Sequence, residues 1–397
     1  MTKLEELINE LCPDGVEYVK IKDYFIRLKG TPITAAKMKE IASNDGEIKV
    51  FAGGKTVINA YEKDIPKANI TRVPAVLVQS RGVIDVVYYD NPFTFKNEMW
   101  AYTHNEQTTV KYLYYFLSTQ VNKMRESASG MGSLPQISLK VTEEMQIPLP
   151  PLSIQSEIVH ILDSFTLLTA ELTAELTARK KQYAFYRDYL LDFSNEDVTK
   201  KIPDIDCSNV EYKRLGNIAI IERGKRVVRN DLSQEIGYPV YQNALKPLGY
   251  YTDKNRNANS VFVIGAGAAG EIGYSYVDYW AADDCFTFVC DDKLNQRYLY
   301  FLLMSKQAYL KNNVRKSSIP RLPRIALENM EIPVPPLSVQ ENIVKILDRF
   351  DKLNNDMSEG LPAEIEARKK QYEYYRDTLL SFDDKACSHI VKVERES

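Results

Sequence analysis

A motif that occurs twice constrains this chain more than any other feature of its sequence. Residues 147–155 read Ile-Pro-Leu-Pro-Pro-Leu-Ser-Ile-Gln, and residues 332–340 read Ile-Pro-Val-Pro-Pro-Leu-Ser-Val-Gln. Further on, Ala-Arg-Lys-Lys-Gln-Tyr occurs at 178–183 and again at 367–372. Self-similarity of this kind marks an internal duplication. The 397-residue chain is therefore expected to contain two copies of one unit, in which a globular part precedes a helical part.

The duplication extends weakly into the globular parts. Val-Glu-Tyr at 16–18 matches 210–212, and Tyr-Leu-Tyr at 112–114 matches 298–300. We also align the Pro-x-Ile-x-Leu pattern at 135–139 with 323–327, and Gly82 with Gly270. The helical parts are nearly identical, whereas the globular parts have diverged and keep little beyond their framework.

Each copy of the proline-rich motif opens a long helix. The Pro-Pro pair ends the preceding segment, and Ser153 or Ser338 can cap the helix that follows. Apolar residues then recur at alternating spacings of four and three, first over 154–172 and 339–357 and then over 176–193 and 365–382. This spacing is typical of a coiled-coil seam. We expect the two helices to pack antiparallel as a spacer, with their remaining faces free for partners.

The second helical part differs from the first at one place. The first copy joins its two seams across Leu172 and Leu176, whereas the second copy has four more residues there, including Gly360 and Pro362. Proline inside a helix removes a hydrogen bond and clashes with the preceding turn. We therefore predict a break near residues 358–363.

The globular parts contain short strand-like runs, such as residues 75–79 and 260–264, and each ends in an aromatic helix, at 110–117 and 296–304. The predicted fold class is α+β, with two mixed α/β domains separated by two long antiparallel coiled-coil helices in an internal pseudo-twofold repeat. The predicted boundaries are 1–150 and 196–336 for the globular domains, 151–195 and 337–384 for the helices, and 385–397 for a C-terminal tail.

Composition limits the class of protein. No stretch approaches 18 consecutive apolar residues and the N-terminus lacks the pattern of a signal peptide, so we expect no membrane association. Five cysteines form no CxxC pair, which favours a reducing, cytoplasmic location. The net charge is only −3. Residues 206–328, however, carry 17 Lys/Arg against 13 Asp/Glu, and residues 337–384 carry 7 against 11. This split fits a globular part that contacts DNA and a helical part that contacts protein.

Several motifs suggest enzymatic chemistry without completing it. Residues 265–270 have the form GxGxxG, but a dinucleotide site needs a helix after the third glycine, and an aromatic, strand-like run follows at 271–280. We favour a glycine turn and keep a nucleotide-cofactor enzyme as an alternative. Residues 53–56 end like a P-loop without its first glycine, and residues 90–93 lack the second proline of an adenine-methyltransferase motif. The three histidines are scattered. We predict no catalytic residues, no cofactor and no metal.

The doubled layout, the Ile-Pro-x-Pro-Pro-Leu-Ser-x-Gln helix entry and the Ala-Arg-Lys-Lys-Gln-Tyr tract closely resemble the specificity subunits of type I restriction-modification systems. The resemblance implies two target-recognition domains, each reading one half of a split, asymmetric sequence in double-stranded DNA, with the paired helices setting the spacing. It also implies that two methyltransferase subunits dock on the chain and that restriction subunits join them. S-adenosylmethionine and ATP-Mg would belong to those partners. The alternative is a duplicated coiled-coil scaffold without sequence-specific DNA binding.

Loop residues are the candidates for DNA contact, because Lys and Arg bind phosphates and Arg, Asn and Gln can read base edges. In the first domain the candidates are Lys55, Thr56, Gln79, Ser80, Arg81, Ser129 and Ser133. In the second domain they are Lys225, Arg226, Gln242, Asn243, Lys246, Lys254 and Arg256, with Arg315, Lys316, Arg321 and Arg324 as further phosphate contacts.

Overall fold

Two structural units repeat one arrangement of strands and helices. The computed structural model describes residues 3–129, 134–194, 210–355 and 360–382. The first unit contains Met1–Glu171 and Ile365–Ser397, and the second contains Leu172–Glu364. Each unit therefore holds one globular part together with segments of both helical parts.

The globular part of the first unit contains nine strands, five α-helices and a short 3-10 helix (Glu62–Asp64) among its described residues. The strands are β1 (Tyr18–Lys20), β2 (Ile26–Leu28), β3 (Ile48–Ala52), β4 (Thr56–Ala60), β5 (Ala75–Gln79), β6 (Asp85–Tyr89), β7 (Phe93–Phe95), β8 (Trp100–Thr103) and β9 (Gln146–Pro148). The helices are α1 (Lys3–Leu11), α2 (Ile21–Tyr24), α3 (Ala35–Ile41), α4 (Gln107–Glu126) and α5 (Leu139–Glu143). The long helix α6 (Leu152–Leu191) follows.

The globular part of the second unit contains nine strands, three α-helices and two short 3-10 helices (Leu215–Asn217 and Arg229–Asp231) within the part that the structure describes. The strands are β10 (Glu211–Arg214), β11 (Ala219–Arg223), β12 (Tyr238–Tyr241), β13 (Gly249–Tyr251), β14 (Ser260–Ile264), β15 (Ile272–Ser275), β16 (Trp280–Ala281), β17 (Cys285–Cys290) and β18 (Glu331–Val334). The helices are α7 (Gln296–Ser305), α8 (Gln307–Asn312) and α9 (Arg324–Glu328), and α10 (Leu337–Asn355) follows.

The sheets of the two units have the same strand order. A four-stranded antiparallel sheet runs β2-β8-β5-β6 in the first unit and β11-β17-β14-β15 in the second. A three-stranded sheet runs β4-β3-β7 and β13-β12-β16, each with one parallel pair. The short pairs β1-β9 and β10-β18 close each domain where the proline-rich motif begins. The aromatic helices α4 and α7 bury Tyr112 and Tyr298, whose hydroxyls donate to the carbonyls of Pro148 and Pro333.

The helical parts pack against each other within each unit. In the first unit, Phe165 of α6 stacks on Tyr375 of helix α11 (Leu361–Leu379) with ring centroids 5.3 Å apart. In the second unit, Tyr186 of α6 stacks on Phe350 of α10 at 5.9 Å. The earlier part of one helix thus meets the later part of the other, which makes the pairing antiparallel. The predicted α+β class with antiparallel coiled-coil helices and an internal repeat is confirmed.

The second helical part is described as two helices, which end and begin at Asn355 and Leu361. The predicted break near 358–363 falls partly on residues 356–359, which lie outside the described residues. The tail predicted at 385–397 also lies outside them. These two boundaries stay predictions.

The structure corrects two of our alignments between the copies. Gly82 donates its N–H to the carbonyl of Pro135, and Gly267 donates in the same way to Pro320. Gly82 is therefore equivalent to Gly267, and Pro135 to Pro320. The alignment on Gly270 was wrong because the second copy has a longer hairpin, with residues 265–271 between β14 and β15 against 80–84 between β5 and β6. The alignment on Pro323 was wrong because Pro323 is the residue immediately before α9, the position that Ser138 occupies before α5.

Candidate nucleic-acid interface

Three loops of the first unit meet at one end of its sheets. The turn between β3 and β4 bonds the turn between β5 and β6, through the N–H of Gly54 and the carbonyl of Arg81 at 3.2 Å. The second of these turns bonds the segment before α5, through Gly82 and Pro135 at 2.9 Å. Gly54 and Gly82 have φ of 70° and 78°, a region that favours glycine. Sequence-distant loops are thereby held as one surface.

The structure places four of the predicted contacts of the first domain on this surface. Lys55, Thr56, Arg81 and Ser129 are exposed, and Ser129 is paired through its backbone with Gln136. Lys55 lies 3.8 Å from Asp85, a distance at which the two charges interact weakly in solvent.

Two other predicted residues of the first domain, Gln79 and Ser80, do not lie on the surface. Gln79 and Ser80 are 3% and 0% exposed. The hydroxyl of Ser80 donates to the carbonyl of Glu98 inside the domain. We remove both from the set of DNA contacts, because β5 is a central strand whose five residues are all buried. Ser133 lies outside the described residues.

The loop after β11 presents Lys225 and Arg226, both exposed. Its backbone is fixed on one side by Gly224, whose N–H donates to the carbonyl of Cys285 at 3.0 Å. On the other side, the indole of Trp280 donates to the carbonyl of Lys225 at 2.8 Å. A Cβ on Gly224 would lie 2.2 Å from the carbonyl oxygen of Ala282. The two cations therefore project from an anchored backbone.

The glycine run at residues 265–270 joins β14 to β15 as a hairpin. Gly270 donates to the carbonyl of Ile264 at 2.8 Å, and Gly267, at φ 81°, donates to Pro320. A strand and not a helix follows, so the run lacks the helix N-terminus on which a dinucleotide fold seats its pyrophosphate. The cofactor-enzyme alternative thereby loses the feature on which it rested.

The other predicted residues of the second domain differ in how far their side chains are exposed to solvent and bonded within the domain. Asn243 and Lys246 are exposed, and Gln242 is half-buried. The ammonium of Lys254 forms an ion pair with the carboxylate of Asp278 and donates a hydrogen bond to it. This hydrogen bond and a second one from the backbone N–H of Ala258 lower the pKa of Asp278.

Arg256 serves its own domain. Its guanidinium donates to Thr287 at 2.7 Å, to Glu222 at 2.8 Å and to the carbonyl of Asn255 at 2.6 Å. Only 18% of its side chain is exposed. We therefore remove Arg256 from the set of DNA contacts.

Arg315, Arg321 and Arg324 lie around a cavity of about 440 Å³ in the second unit, together with Arg223. We call it the second-repeat pocket; its other lining residues are Gly265, Phe286, Ser317, Leu322 and Pro323. Lys316 is exposed beside it and is not among the lining residues. Arg223 is not among the contacts predicted from the sequence, although it opens the Arg-Gly-Lys-Arg tract at 223–226.

The first unit has a cavity of about 560 Å³ at the equivalent place. We call it the first-repeat pocket; its lining residues are Arg27, Leu28, Lys29, Gly30, Asn69, Asn97, Glu98, Met99, Trp100, Gln136 and Leu139. The equivalence follows from strand register, because Trp100 pairs with Val78 as Phe286 pairs with Val263. None of the residues predicted from the sequence lines this pocket. Its members come from separate segments, which no local motif links.

One family of known proteins matches the sequence of this chain at two places. A family model described as the type I restriction modification DNA specificity domain matches residues 13–179 and again 207–367. The chain belongs to this family. The specificity subunit of a type I restriction enzyme from Escherichia coli is 32% identical over 84% of this chain and 87% of its own length. A type I specificity subunit from Mycoplasma pneumoniae is 36% identical over 63% of this chain and 91% of its own.

Solved structures from type I restriction-modification systems share the fold. The S subunit of the Type-I restriction-modification system from M. genitalium superposes with a TM-score of 0.60 at 20% identity, over 93% of this chain and 96% of that one. A chain from a structural study of complex assembly of the type I R-M system gives 0.55 at 15% identity, over 94% and 98%. The α+β domains and long helices of this specificity subunit are thus those of its family.

The described residues contain no group of three or more His, Cys, Asp or Glu side chains that could hold a metal ion. Burial raises the pKa of Cys285 to about 12, so its thiol is neutral and enclosed. No helix within the described part of this specificity subunit is long and apolar enough to cross a membrane.

Proposed function

We propose that this chain is the DNA-specificity subunit of a type I restriction-modification complex, which recognises a bipartite, asymmetric DNA target and directs methyltransferase and restriction subunits to it. The observation that carries the proposal is the doubled domain: the DNA-specificity family matches each copy, and each copy holds polar and basic loops at the same end of the same sheets.

Each domain is proposed to read one half of the target. The domains share a framework but differ in loop residues, so their half-sites differ in sequence. Cationic side chains would hold phosphates, and arginine and amide side chains would read base edges. The proposed contacts are Lys55, Thr56, Arg81 and Ser129 in the first domain and Lys225, Arg226, Gln242, Asn243, Lys246, Lys254, Arg315, Lys316, Arg321 and Arg324 in the second.

The repeated helices are proposed as the docking surface for two methyltransferase subunits, because a near-identical sequence present twice can be recognised twice by one partner. The domain boundaries at 1–150, 151–195, 196–336 and 337–384 belong to this proposal. The chain itself would be non-catalytic and act on DNA in the cytoplasm, while S-adenosylmethionine and ATP-Mg serve the partner subunits.

The test is the pattern of methylated adenines in cells that express the partner methyltransferase with and without this chain. A split motif, with two specific parts separated by unspecified bases, should be methylated only when the chain is present. Methylation that does not depend on the chain, although the partner is active, would favour a coiled-coil scaffold without sequence-specific binding.

A further inference from the structure

The second-repeat pocket concentrates positive charge. Four guanidinium groups line it, and no carboxylate is among its lining residues. Arg324 is paired with Glu328, with its Nε 2.7 Å from the carboxylate. Arg223, Arg315 and Arg321 have no carboxylate within 4.0 Å among the residues that the structure describes. Like charges repel one another in the free protein, so this grouping favours an anionic ligand.

The pocket is built on fixed backbone. The backbones of Arg315 and Arg321 bond each other in both directions, at 2.8 and 3.2 Å. Arg223 pairs with Phe286 in adjacent strands, and its guanidinium lies 5.7 Å from the centre of that ring. Gly265 completes the lining, and a Cβ there would come within 2.7 Å of the Phe286 ring. An anion can therefore approach this part of the backbone without a side chain in the way.

The first-repeat pocket lacks this excess of charge. Two of its three charged lining residues are paired, since Arg27 lies 3.3 Å from Glu143 and Glu98 lies 3.0 Å from Lys96. The third, Lys29, is a single exposed cation, against the three arginines of the second-repeat pocket that have no carboxylate nearby. Three amide side chains, those of Asn69, Asn97 and Gln136, make up much of its polar lining. At two equivalent positions the second-repeat pocket has arginine where the first-repeat pocket has an amide or an apolar side chain. Gln136 corresponds to Arg321, and Leu139 corresponds to Arg324.

We propose that the second-repeat pocket binds a phosphodiester group of the DNA backbone and that the first-repeat pocket does not. This inference rests on the proposed function and deepens it. A guanidinium group can donate two parallel hydrogen bonds to the oxygens of one phosphate, and this contact does not depend on the base sequence. The second domain would thus supply an electrostatic anchor for the whole target, and the two domains would contribute unequally to the salt dependence of binding.

A reciprocal pair of substitutions tests the proposal in the assembled methyltransferase. Affinity for target and non-target duplexes is measured at several salt concentrations for Arg321→Gln and for Gln136→Arg. Arg321→Gln should lower both affinities by about tenfold and flatten the slope of log affinity against log salt by about 0.9, the value for one phosphate contact. The preference for target over non-target DNA should stay unchanged. Gln136→Arg should steepen the slope by a similar amount.

A control variant, Lys306→Gln, removes one exposed charge from the same unit outside both pockets. It should leave the slope unchanged. A loss of target preference in Arg321→Gln would assign the pocket to base reading and overturn the proposal. An unchanged slope in Arg321→Gln would also overturn the proposal. So would an Arg321→Gln complex that binds DNA normally although inorganic phosphate no longer competes with the DNA. Absence of target preference in the unsubstituted complex would instead refute the proposed function.

Discussion

Arg297 on α7 donates from Nε to the carboxylate of Asp348 on α10, at 2.7 Å. The same guanidinium reaches Asp351 at 2.7 Å and lies 4.6 Å from the ring centres of Tyr274 and Tyr300. Burial alone would lower the pKa of Arg297, but the hydrogen bond and charge of Asp348 outweigh it and hold the pKa above its ordinary value. The ion pair therefore fixes the globular part of the second unit to α10.

The first copy has a weaker version of this link. Lys111 on α4 lies 2.7 Å from Asp163 on α6, and both side chains are about a third exposed, at 31% and 36%. An ammonium offers one point of contact where guanidinium offers a fork. The link is thus preserved between copies while its strength differs.

We predict that Arg297→Met lowers the free energy of unfolding of the second unit by about 2 to 3 kcal/mol. Removing one partner of a fully buried pair costs roughly 3 to 5 kcal/mol, and the cost here is smaller because the Asp348 side chain is 44% exposed. Arg297→Lys, which keeps the charge, should cost about 1 kcal/mol, and Lys111→Met at most about 1 kcal/mol. Denaturant unfolding measures all three. Equal losses for Arg297→Met and Lys111→Met would contradict the assignment.

The duplicated motif contains a second matched pair, Gln155 and Gln340. The amide of Gln340 makes three hydrogen bonds, with the N–H of Asn295 and the carbonyls of Lys293 and Pro335. Gln155 donates to Pro150, and its buried Oε1 has no hydrogen-bond partner among the described residues.

The difference between the two glutamines follows from where the aromatic helices begin. Helix α4 begins at Gln107, five residues before Tyr112, whereas α7 begins at Gln296, two residues before the equivalent Tyr298. The N–H of Asn295, which donates to Gln340 just before α7 begins, thus has no counterpart at the beginning of α4.

We predict that Gln340→Leu lowers the free energy of unfolding by about 3 kcal/mol, because it leaves an N–H and two carbonyls without partners, each at a cost of about 1 kcal/mol or more. Gln155→Leu should change it by less than about 1 kcal/mol, since the substitution also removes a buried oxygen that had no partner. Thermal or denaturant unfolding of the two variants provides the comparison. A larger loss of unfolding free energy for Gln155→Leu than for Gln340→Leu would contradict the stronger hydrogen bonding of the Gln340 amide.

Much of the framework could be predicted from the sequence. Strand β5 was predicted at its observed bounds, and the coiled-coil seams gave the two helices and their pairing, because both depend on local periodicity. The candidate residues for DNA contact were harder to predict. Gln79 looked like a strand-end contact, yet its strand is covered on both faces, and Arg256 looked like a free loop cation, yet Glu222 binds it. These outcomes depend on tertiary neighbours that a local pattern does not contain.

The two pockets show the same limit. Lys29, Asn69 and Gln136 line one cavity although they are far apart in the chain. The alignment error at Gly270 had a similar origin, since the lengths of the hairpin loops are fixed by contacts between loops and not by the glycines alone. Shared hydrogen bonds, such as those of Gly82 and Gly267, identify equivalent positions where sequence similarity fades.

Arg226 tests the loop after β11. Arg226→Ala should weaken binding of the assembled methyltransferase to its target by about tenfold, because an exposed guanidinium on an anchored loop would be lost from the DNA surface. The measurement is a titration of labelled target duplex at fixed salt, with Arg229→Ala as a control for an exposed arginine in the next turn. An unchanged affinity would remove Arg226 from the proposed contacts.

Glu144 gives the first domain a predictable response to acid. Hydrogen bonds from Lys20 and Lys22 lower the pKa of its carboxyl to about 2, while the unfolded chain has a pKa near 4.3. A lowered pKa stabilises the folded state above the unfolded pKa, and this contribution is lost as pH falls from about 4 to about 2.

We therefore expect the wild type to have a higher melting temperature than Glu144→Gln at pH 7. The difference between the two melting temperatures should narrow as pH falls below about 4. Thermal melts of the two proteins from pH 7 to pH 3 measure it. The effect should be small because the group is exposed, and added salt should reduce it. A difference that is constant with pH would show that the two lysines do not act through the charge of Glu144.

The most direct test of two independent recognition domains is to exchange residues 196–336 for the corresponding segment of a related specificity subunit and to sequence the methylome of cells that carry the chimera. Our account predicts a methylated motif that keeps one half of the original target and replaces the other. A motif changed in both halves, or methylation of the original motif, would contradict it.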